Sequence, residues 1–168
     1  MLNNKIIGVM QTILIPTDFT IESLGLLKMT LQEYPHEQLN IVLAHGTIQS
    51  DSIQELLFHS PARLIAGLQG SDFKEACAVI QNKFSSQIRS IRTVLFTGKT
   101  HTAFANLLEA NRVDAVVLAD HYTFKFASRK SIELTPYLRS CSVRKLSMEW
   151  EARPISPEKD KLAEIFAL

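Results

Sequence analysis

Six basic side chains lie close together in the C-terminal half of the chain, with aromatic residues between them. The stretch from His121 to Met148 holds a single acidic residue, and Tyr122, Phe124 and Phe126 alternate with its first residues. The six cations are Lys125, Arg129, Lys130, Arg139, Arg144 and Lys145. Cations beside aromatic rings can bind an anion, a polyphosphate or an acidic protein partner. The other interpretation, which we favour, has Phe124 and Phe126 filling apolar volume while the cations form a solvated face.

Two more candidates for ligand contact follow predicted strands. Asp18 comes after an apolar run, and its carboxylate could accept hydrogen bonds from a ribose or a base, or cap a helix that starts near Thr20. Lys99 lies in a Gly-Lys-Thr sequence that resembles the end of a phosphate-binding loop, but the glycine that this motif needs five positions earlier is Thr93. Gly98 is therefore better explained as a turn, although Lys99 beside a helix N-terminus could attract a small anion.

No catalytic set and no metal site are predicted. His45, His101 and His121 follow or flank predicted strand ends and could converge on one edge, where one of them could titrate near neutral pH, but no pair has a short metal-ligand spacing. Cys77 and Cys141 are both expected in the core. A Gly-x-Ser-x-Gly sequence and paired carboxylates at catalytic spacing are absent from the sequence. We therefore expect a non-enzymatic role.

Composition indicates one globular domain. The chain has 168 residues, of which 46% are hydrophobic, and this is enough for a substantial core. Its net charge of +1 gives no overall field that would attract nucleic acid or a membrane. No apolar run approaches the roughly 20 residues that span a bilayer, and the N-terminus does not look like a signal peptide. Two distant cysteines without a Cys-x-x-Cys motif are typical of a reduced, cytoplasmic protein.

Short apolar runs alternate with helical patterns along the chain. Buried strands are predicted over residues 12–16, 39–44, 93–97 and 114–118, and an edge strand over Ser142 to Trp150. The helices are expected from Thr20, from Asp72 with Ile88 as its last apolar residue, from Thr102 to Asn111 and from Ser131 to Arg139. A terminal helix is expected after Ser156, with Leu162, Ile165 and Phe166 as its apolar stripe. We therefore divide the chain into an α/β domain, residues 1–150, and an extension helix, residues 151–168.

This alternation predicts a doubly wound α/β sheet of parallel strands joined by right-handed crossovers. Ligands of such sheets bind beyond the carboxyl ends of the strands, at the point where the strand order reverses. The segments that should meet there are residues 18–20, 45–46, 98–102 and 120–130.

Several segments resemble the universal stress protein family. The run from Ile13 to Thr20 is similar to the family's first strand and loop, and residues 43–45 to the end of its second strand. Residues 97–118 resemble its third strand, crossover helix and fourth strand, and residues 138–143 the approach to its last strand. The resemblance covers roughly residues 10–148. It implies an adenine nucleotide alpha hydrolase-like fold with an open five-stranded parallel sheet in the order 3-2-1-4-5, helices on both faces, and commonly a homodimer paired through the last strand.

Many members of that family bind ATP through a Gly-x-x-Gly loop after the fourth strand, followed by Gly-Ser or Gly-Thr. Here the first two glycine positions are Ala119 and Tyr122, the last pair corresponds to Lys130-Ser131, and residues 119–135 contain no glycine. Glycines let the backbone approach phosphates, and a tyrosine at this point prevents that approach. Of the family's nucleotide contacts, Asp18 on the adenosine side is retained. We therefore expect no ATP binding through this loop.

Two functional hypotheses follow. The first is a stress-response or regulatory interaction module, homodimeric through residues 142–150, without a cofactor and with a protein partner rather than nucleic acid or membrane. The alternative is a sensor of a nucleotide or small anion, or a weak hydrolase, in a remodelled crevice. In that case Asp18 and Gly46 would hold an adenosine-like group. The phosphate would be held by Lys99, Lys125, Arg129, Lys130 and Ser131.

Overall fold

The central strands of the sheet come from apolar runs that are buried on both faces. In the computed structural model, which describes residues 10–49, 52–53, 57 and 60–151, these strands are β1 (Gln11–Pro16), β2 (Leu39–Thr47) and β4 (Ala115–Asp120). Nearly every side chain of β1 and β2 is buried, as expected where helices cover both faces of a parallel sheet. The predicted strands at residues 12–16, 39–44 and 114–118 are confirmed.

The strand order is the predicted one. Strand β3 (Ile88–Phe96) lies at one edge and strand β6 (Arg144–Glu149) at the other, in the order β3-β2-β1-β4-β6 with all neighbours parallel. Ile13 of β1 is opposite Ile41 of β2 on one side and Ala115 of β4 on the other. The order therefore reverses at β1, and its carboxyl end, with those of β2 and β4, is where a crevice is expected.

Among the described residues, the sheet has six strands rather than the predicted five. Strand β5 (Ser131–Ile132) is off this path and pairs antiparallel with the end of β2, with Ile132 opposite Gly46 and Ser131 opposite Thr47. The helix predicted from Ser131 therefore starts later, as α5 (Thr135–Ser140). Ser131 and Ile132, which the local pattern assigned to the helix, form a strand because they pair with β2.

Helices cover both faces of the sheet, as predicted. The first four are α1 (Leu24–Glu33), α2 (Pro61–Leu68), α3 (Ser71–Lys83) and α4 (His101–Ala110). One core cluster joins α1 and α3 to the odd-numbered side of β1, and the other joins α4 and α5 to its even-numbered side. Because side chains alternate along a strand, Ile13 and Leu14 belong to different clusters.

Two predicted helix boundaries are wrong. Helix α1 begins at Leu24 after a turn, not near Thr20, although the Thr20 hydroxyl still accepts a hydrogen bond from the Ser23 amide at 3.2 Å. Helix α3 ends at Lys83, and Ile88 begins β3 instead of completing the helix. The Leu39 amide donates to the carbonyl of Gln87 at 2.7 Å, so pairing at the start of β2 draws this segment into the sheet.

The predicted extension helix, with Leu162, Ile165 and Phe166, lies outside the described residues. In the part of the chain that the structure describes, no helix is both long enough and apolar enough to cross a membrane.

Candidate functional site: a crevice covered by residues 121–132

The site lies at the carboxyl ends of β1 and β2, where three of the four segments that the sequence singled out meet, namely residues 18–20, 45–46 and 120–130. Beyond Pro16, the Thr17 amide donates to the Ala44 carbonyl at 2.9 Å, and the chain then turns sharply. Phe19 sits in the turn with a φ of 62°, a conformation that is uncommon for a bulky residue. This turn places Asp18 inward, 3% exposed.

The carboxylate of Asp18 is fully engaged by this chain. Its Oδ1 accepts hydrogen bonds from the amide and the hydroxyl of Thr20, at 3.0 and 2.6 Å. Its Oδ2 accepts from the Lys125 amide at 2.7 Å and from the Tyr122 hydroxyl at 3.1 Å. The bonds to Thr20 lie in the turn before α1, which begins only at Leu24, so Asp18 does not cap that helix. The contacts with Tyr122 and Lys125 were not foreseen. A ribose or base would have to replace these donors.

Tyr122 connects the carboxylate to the end of β6. Its ring packs edge-on against Trp150, with 5.0 Å between centroids, and burial raises the pKa of the Tyr122 phenol, which therefore stays protonated and donates to Asp18. Trp150 in turn lies directly against Gly25 of α1, where an added Cβ would be 2.6 Å from the indole ring. A larger residue at position 25 would displace the indole from Tyr122.

Residues 121–132, here called the closing segment, cross the carboxyl ends of the central strands. The Lys130 carbonyl accepts from the Ile48 amide at 2.7 Å and from the Thr47 hydroxyl at 3.3 Å, beside the β5 pairing. Together with the Asp18 contacts, these bonds attach the segment at both of its ends.

Gly46 is covered by the closing segment. A Cβ at this position would be 2.5 Å from the Ile132 carbonyl oxygen and 2.6 Å from Ile132 Cγ1. The space that the sequence-based hypothesis gave to an adenosine-like group beside Gly46 is therefore occupied by β5.

His45 is held by hydrogen bonds on both ring nitrogens and is 1% exposed. Its Nδ1 lies 2.9 Å from the Thr17 carbonyl oxygen, which can only accept, so Nδ1 carries the proton. Its Nε2 therefore accepts from the Ser131 hydroxyl, also at 2.9 Å. The ring stacks on Phe19 at 4.6 Å and meets the edge of Phe126 at 5.6 Å. Burial lowers the pKa of His45, and the Thr17 hydrogen bond and the nearby Asp18 only partly oppose this effect.

The aromatic residues of the closing segment lie in the crevice, as the favoured interpretation predicted. The rings of Phe124 and Phe126 are nearly parallel, 5.8 Å apart, and both are half-buried. They line a shallow, open depression together with Pro16, Thr17, Ala44, Gly46, Ile132 and Leu134. These residues enclose no space large enough for a water molecule, so the depression is not a preformed ligand pocket.

Most of the cations from residue 121 onwards contact groups of this chain. Lys125 Nζ lies 2.8 Å from Glu22 Oε2, a hydrogen-bonded pair that raises the pKa of the lysine. Arg139 is 3.3 Å from Asp120, Arg144 donates to Tyr34 at 3.0 Å, and Lys145 donates to the Cys141 carbonyl at 2.6 Å. The side chains of Arg129 and Lys130 are exposed on the closing segment, and Lys99 is exposed before α4.

His101 and Cys77 lie away from the closing segment, whereas His121 is its exposed first residue. The Nδ1 of His101 is 2.7 Å from the Ser140 hydroxyl, whereas His45 is bound to Thr17 and Ser131, so these two histidines have separate partners. Cys77 packs against the core, and burial raises the pKa of its thiol to about 11. The thiol is therefore protonated, which agrees with the expected core position.

Solved structures with the same arrangement of strands and helices identify the fold. Hypothetical protein MJ0577 is 15% identical and superposes with a TM-score of 0.54, covering 85% of this chain and 98% of its own. The universal stress protein UspA from Lactobacillus plantarum is 12% identical, with a TM-score of 0.52, covering 83% of this chain and 97% of its own. This chain has the universal stress protein fold. No family model and no curated protein matches the sequence.

Within the universal stress protein fold of this chain, the closing segment follows β4, where the sequence resemblance placed the phosphate-binding loop. The first glycine position of that loop is the half-buried Ala119, and the second is Tyr122, whose hydroxyl is bound to Asp18. Ser131, at the position of the last pair, is bound to His45. Tyr122 and Ser131 therefore each have a hydrogen-bond partner within the crevice.

Proposed function

We propose that this chain is a stress-response interaction module of the universal stress protein type, and that its own closing segment occupies the crevice in which other proteins of this fold would hold a nucleotide. The observation that carries the proposal is the Asp18 carboxylate, whose four hydrogen bonds all come from Thr20, Tyr122 and Lys125. A buried carboxylate that loses such donors without replacement is strongly destabilised.

Entry of a nucleotide would require several contacts to break together. A ligand at Asp18 must displace the Tyr122 hydroxyl and the Lys125 amide, and a ligand at Gly46 must separate β5 from β2. The adenosine and phosphate groups would then fill a site that now contains Phe124 and Phe126. The free energy needed to open the closing segment therefore weakens the binding of a nucleotide.

A thermal-shift titration tests this proposal. ATP, AMP and cyclic AMP at millimolar concentration should leave the Tm unchanged, as should phosphate and pyrophosphate, because a ligand that binds only the native state must raise it. Trp150, the single tryptophan, contacts Tyr122 and gives a second readout, since an entering ligand would move that tyrosine and change the emission. A nucleotide-specific rise in Tm would contradict the proposal.

We further propose that the module is a homodimer paired through β6 and that it acts on a protein partner in the cytoplasm. The outer side of β6 has no strand neighbour among the described residues, and an edge of this kind favours pairing with another strand. Cys77 and Cys141 are both unpaired, as is usual in a reducing compartment.

A sensor of a small anion is the second candidate function. The exposed cations Lys125, Arg129 and Lys130 on the closing segment favour it, with Lys99 at the start of α4 as a more distant contributor. In this case Lys125→Ala combined with Lys130→Ala should abolish binding of pyrophosphate and of AMP in calorimetric titrations. Lys145→Ala, an exposed cation on β6, is the matched control. Equal affinity in the double variant and the wild type would exclude this candidate.

A further inference from the structure

Exposed apolar side chains are concentrated in the connection between β2 and α3. Five large apolar residues are exposed in the described part of the chain, and four of them lie in this connection. Their exposed fractions are 45% for Ile48, 73% for Ile53, 75% for Leu57 and 38% for Leu64. The fifth, Met10, precedes β1. Single exposed apolar residues are normal, but a group of them within one stretch is typical of an interaction site.

Two of these residues lie in helical backbone. Ile53 and Leu57 are both helical, are four positions apart in the sequence and are largely exposed. Helix α2 follows, and its Leu68 packs against the core cluster of α1 and α3, whereas Leu64 remains exposed. We call Ile48, Ile53, Leu57 and Leu64 the apolar surface.

The sequence after Glu151 supplies a matching partner. Residues 152–168 lie outside the described residues, and their last part contains Leu162, Ile165, Phe166 and Leu168 among seven positions. Side chains at 162, 165 and 166 have the spacing of one helical face. The terminal segment therefore has the composition of a helix whose apolar face could cover the apolar surface.

The end of β6 and helix α2 pack against the same core cluster. Trp150 packs against Gly25 of α1 and belongs to the core cluster of that face, against which Leu68 of α2 also packs. The Trp150 side chain therefore lies on the face of the sheet that carries α2.

The terminal segment is also long enough to reach the apolar surface from the end of β6. The carboxyl ends of β6 and β2 are separated by three strand spacings, roughly 14 Å at about 4.8 Å each. Residues 152–161 would span up to roughly 33 Å if extended. A tether of this length gives the terminal segment an effective concentration in the millimolar range at the apolar surface.

We propose that residues 162–168 dock on the apolar surface of the same chain, with Ile165 and Phe166 against Ile53 and Leu57. Docking in this way would shield the apolar stretch from water. It would also carry residues 152–161 past the carboxyl ends of the strands, close to the closing segment.

Disulfide trapping in the full chain tests the proposal. In a Cys77→Ala/Cys141→Ala background, Leu57→Cys combined with Phe166→Cys should form a disulfide within one chain under mild oxidation, in a yield that does not change on dilution. The matched control is Glu109→Cys with Phe166→Cys, because Glu109 is exposed on α4, on the opposite face of the sheet. We expect at least a tenfold lower rate of trapping for the control pair.

The remaining outcomes overturn the proposal. Disulfides that form only between chains, and whose yield falls on dilution, would assign the apolar surface to a second copy. Equal trapping of both pairs would show an unspecific tether, and no trapping would show that the segment lies elsewhere. Leu64→Cys with Leu162→Cys repeats the test at a second contact, so that failure of one variant to fold does not prevent the measurement.

Discussion

His45 makes the stability of the crevice dependent on pH. Burial lowers its pKa in the folded chain, whereas in the unfolded chain the group has its ordinary value of 6.5. Between the lowered value and 6.5 the unfolded chain binds more protons than the folded one, so the free energy of unfolding falls as the pH falls through this window. Above pH 6.5 the full stabilisation is present.

His45→Asn should weaken this dependence. The asparagine can still donate to Thr17 but loses the ring contacts and the acceptor for Ser131, so we expect a loss of about 1–3 kcal/mol at pH 8. Urea unfolding of the variant between pH 5.5 and 8 should give a flatter profile than that of the wild type. His36→Asn, at an exposed loop position, is the control. A slope equal to that of the wild type would show that His45 does not titrate in this range.

Gly46 tests how tightly the closing segment is packed. Gly46→Ala places a methyl group 2.5 Å from the backbone oxygen of Ile132, so β5 must shift, and we expect destabilisation by about 1–3 kcal/mol. Gly67→Ala is the matched control, since its Cβ would meet nothing within 4 Å, and in helix α2 it should be neutral or stabilising by up to about 1 kcal/mol. Equal shifts of the denaturant midpoint in Gly46→Ala and Gly67→Ala would contradict the close packing of β5 against Gly46.

At the scale of elements, the sequence predicted a strand or helix correctly where a long, local hydrophobic pattern marks it. The runs at β1, β2 and β4 are apolar because both faces are covered, and this composition predicts them directly. Strand β5 has two residues and no periodicity, so only its pairing with β2 defines it. Ile88 has helical spacing from Phe84, but pairing of Leu39 with Gln87 places it in β3. Both errors arise where a long-range contact competes with a local pattern.

The closing segment is held at its first part by Asp18, and this contact can be measured by hydrogen exchange. In Asp18→Ala the amide of Lys125 loses its acceptor, and exchange at residues 122–126 should accelerate about 10- to 100-fold, because a hydrogen bond to a charged group contributes about 1.5–3 kcal/mol. Thr20→Val removes a donor from the other carboxylate oxygen and the 3.3 Å contact with the Tyr122 hydroxyl, but keeps the bonds of Tyr122 and Lys125 to Asp18 Oδ2, so its exchange should accelerate much less. The same acceleration in both variants would contradict a specific role of Asp18 Oδ2.

At the scale of the whole molecule, the candidate site is assembled from distant parts of the chain. Asp18 and Tyr122 are separated by 104 positions, and His45 and Ser131 by 86. The resemblance to a known family placed these residues at one edge of the sheet, and the missing glycines predicted that the loop does not bind ATP. Which donors would face Asp18 depends on the path of residues 121–132, and no local pattern encodes that path.

The edge strand β6 decides whether the molecule exists as a dimer. Antiparallel pairing of two β6 strands about a two-fold axis at Ser147 would place Ser147 opposite its own copy and Lys145 opposite Glu149 of the partner subunit, an attractive pair on each side of the axis. Light scattering after size exclusion should give twice the chain mass of 18.9 kDa. Ser147→Lys puts two like charges beside the axis and should give a monomer, because a lysine on an edge strand opposes pairing. Asn82→Lys adds the same charge on exposed α3 and should remain a dimer. A dimer that persists in Ser147→Lys would move the interface away from β6.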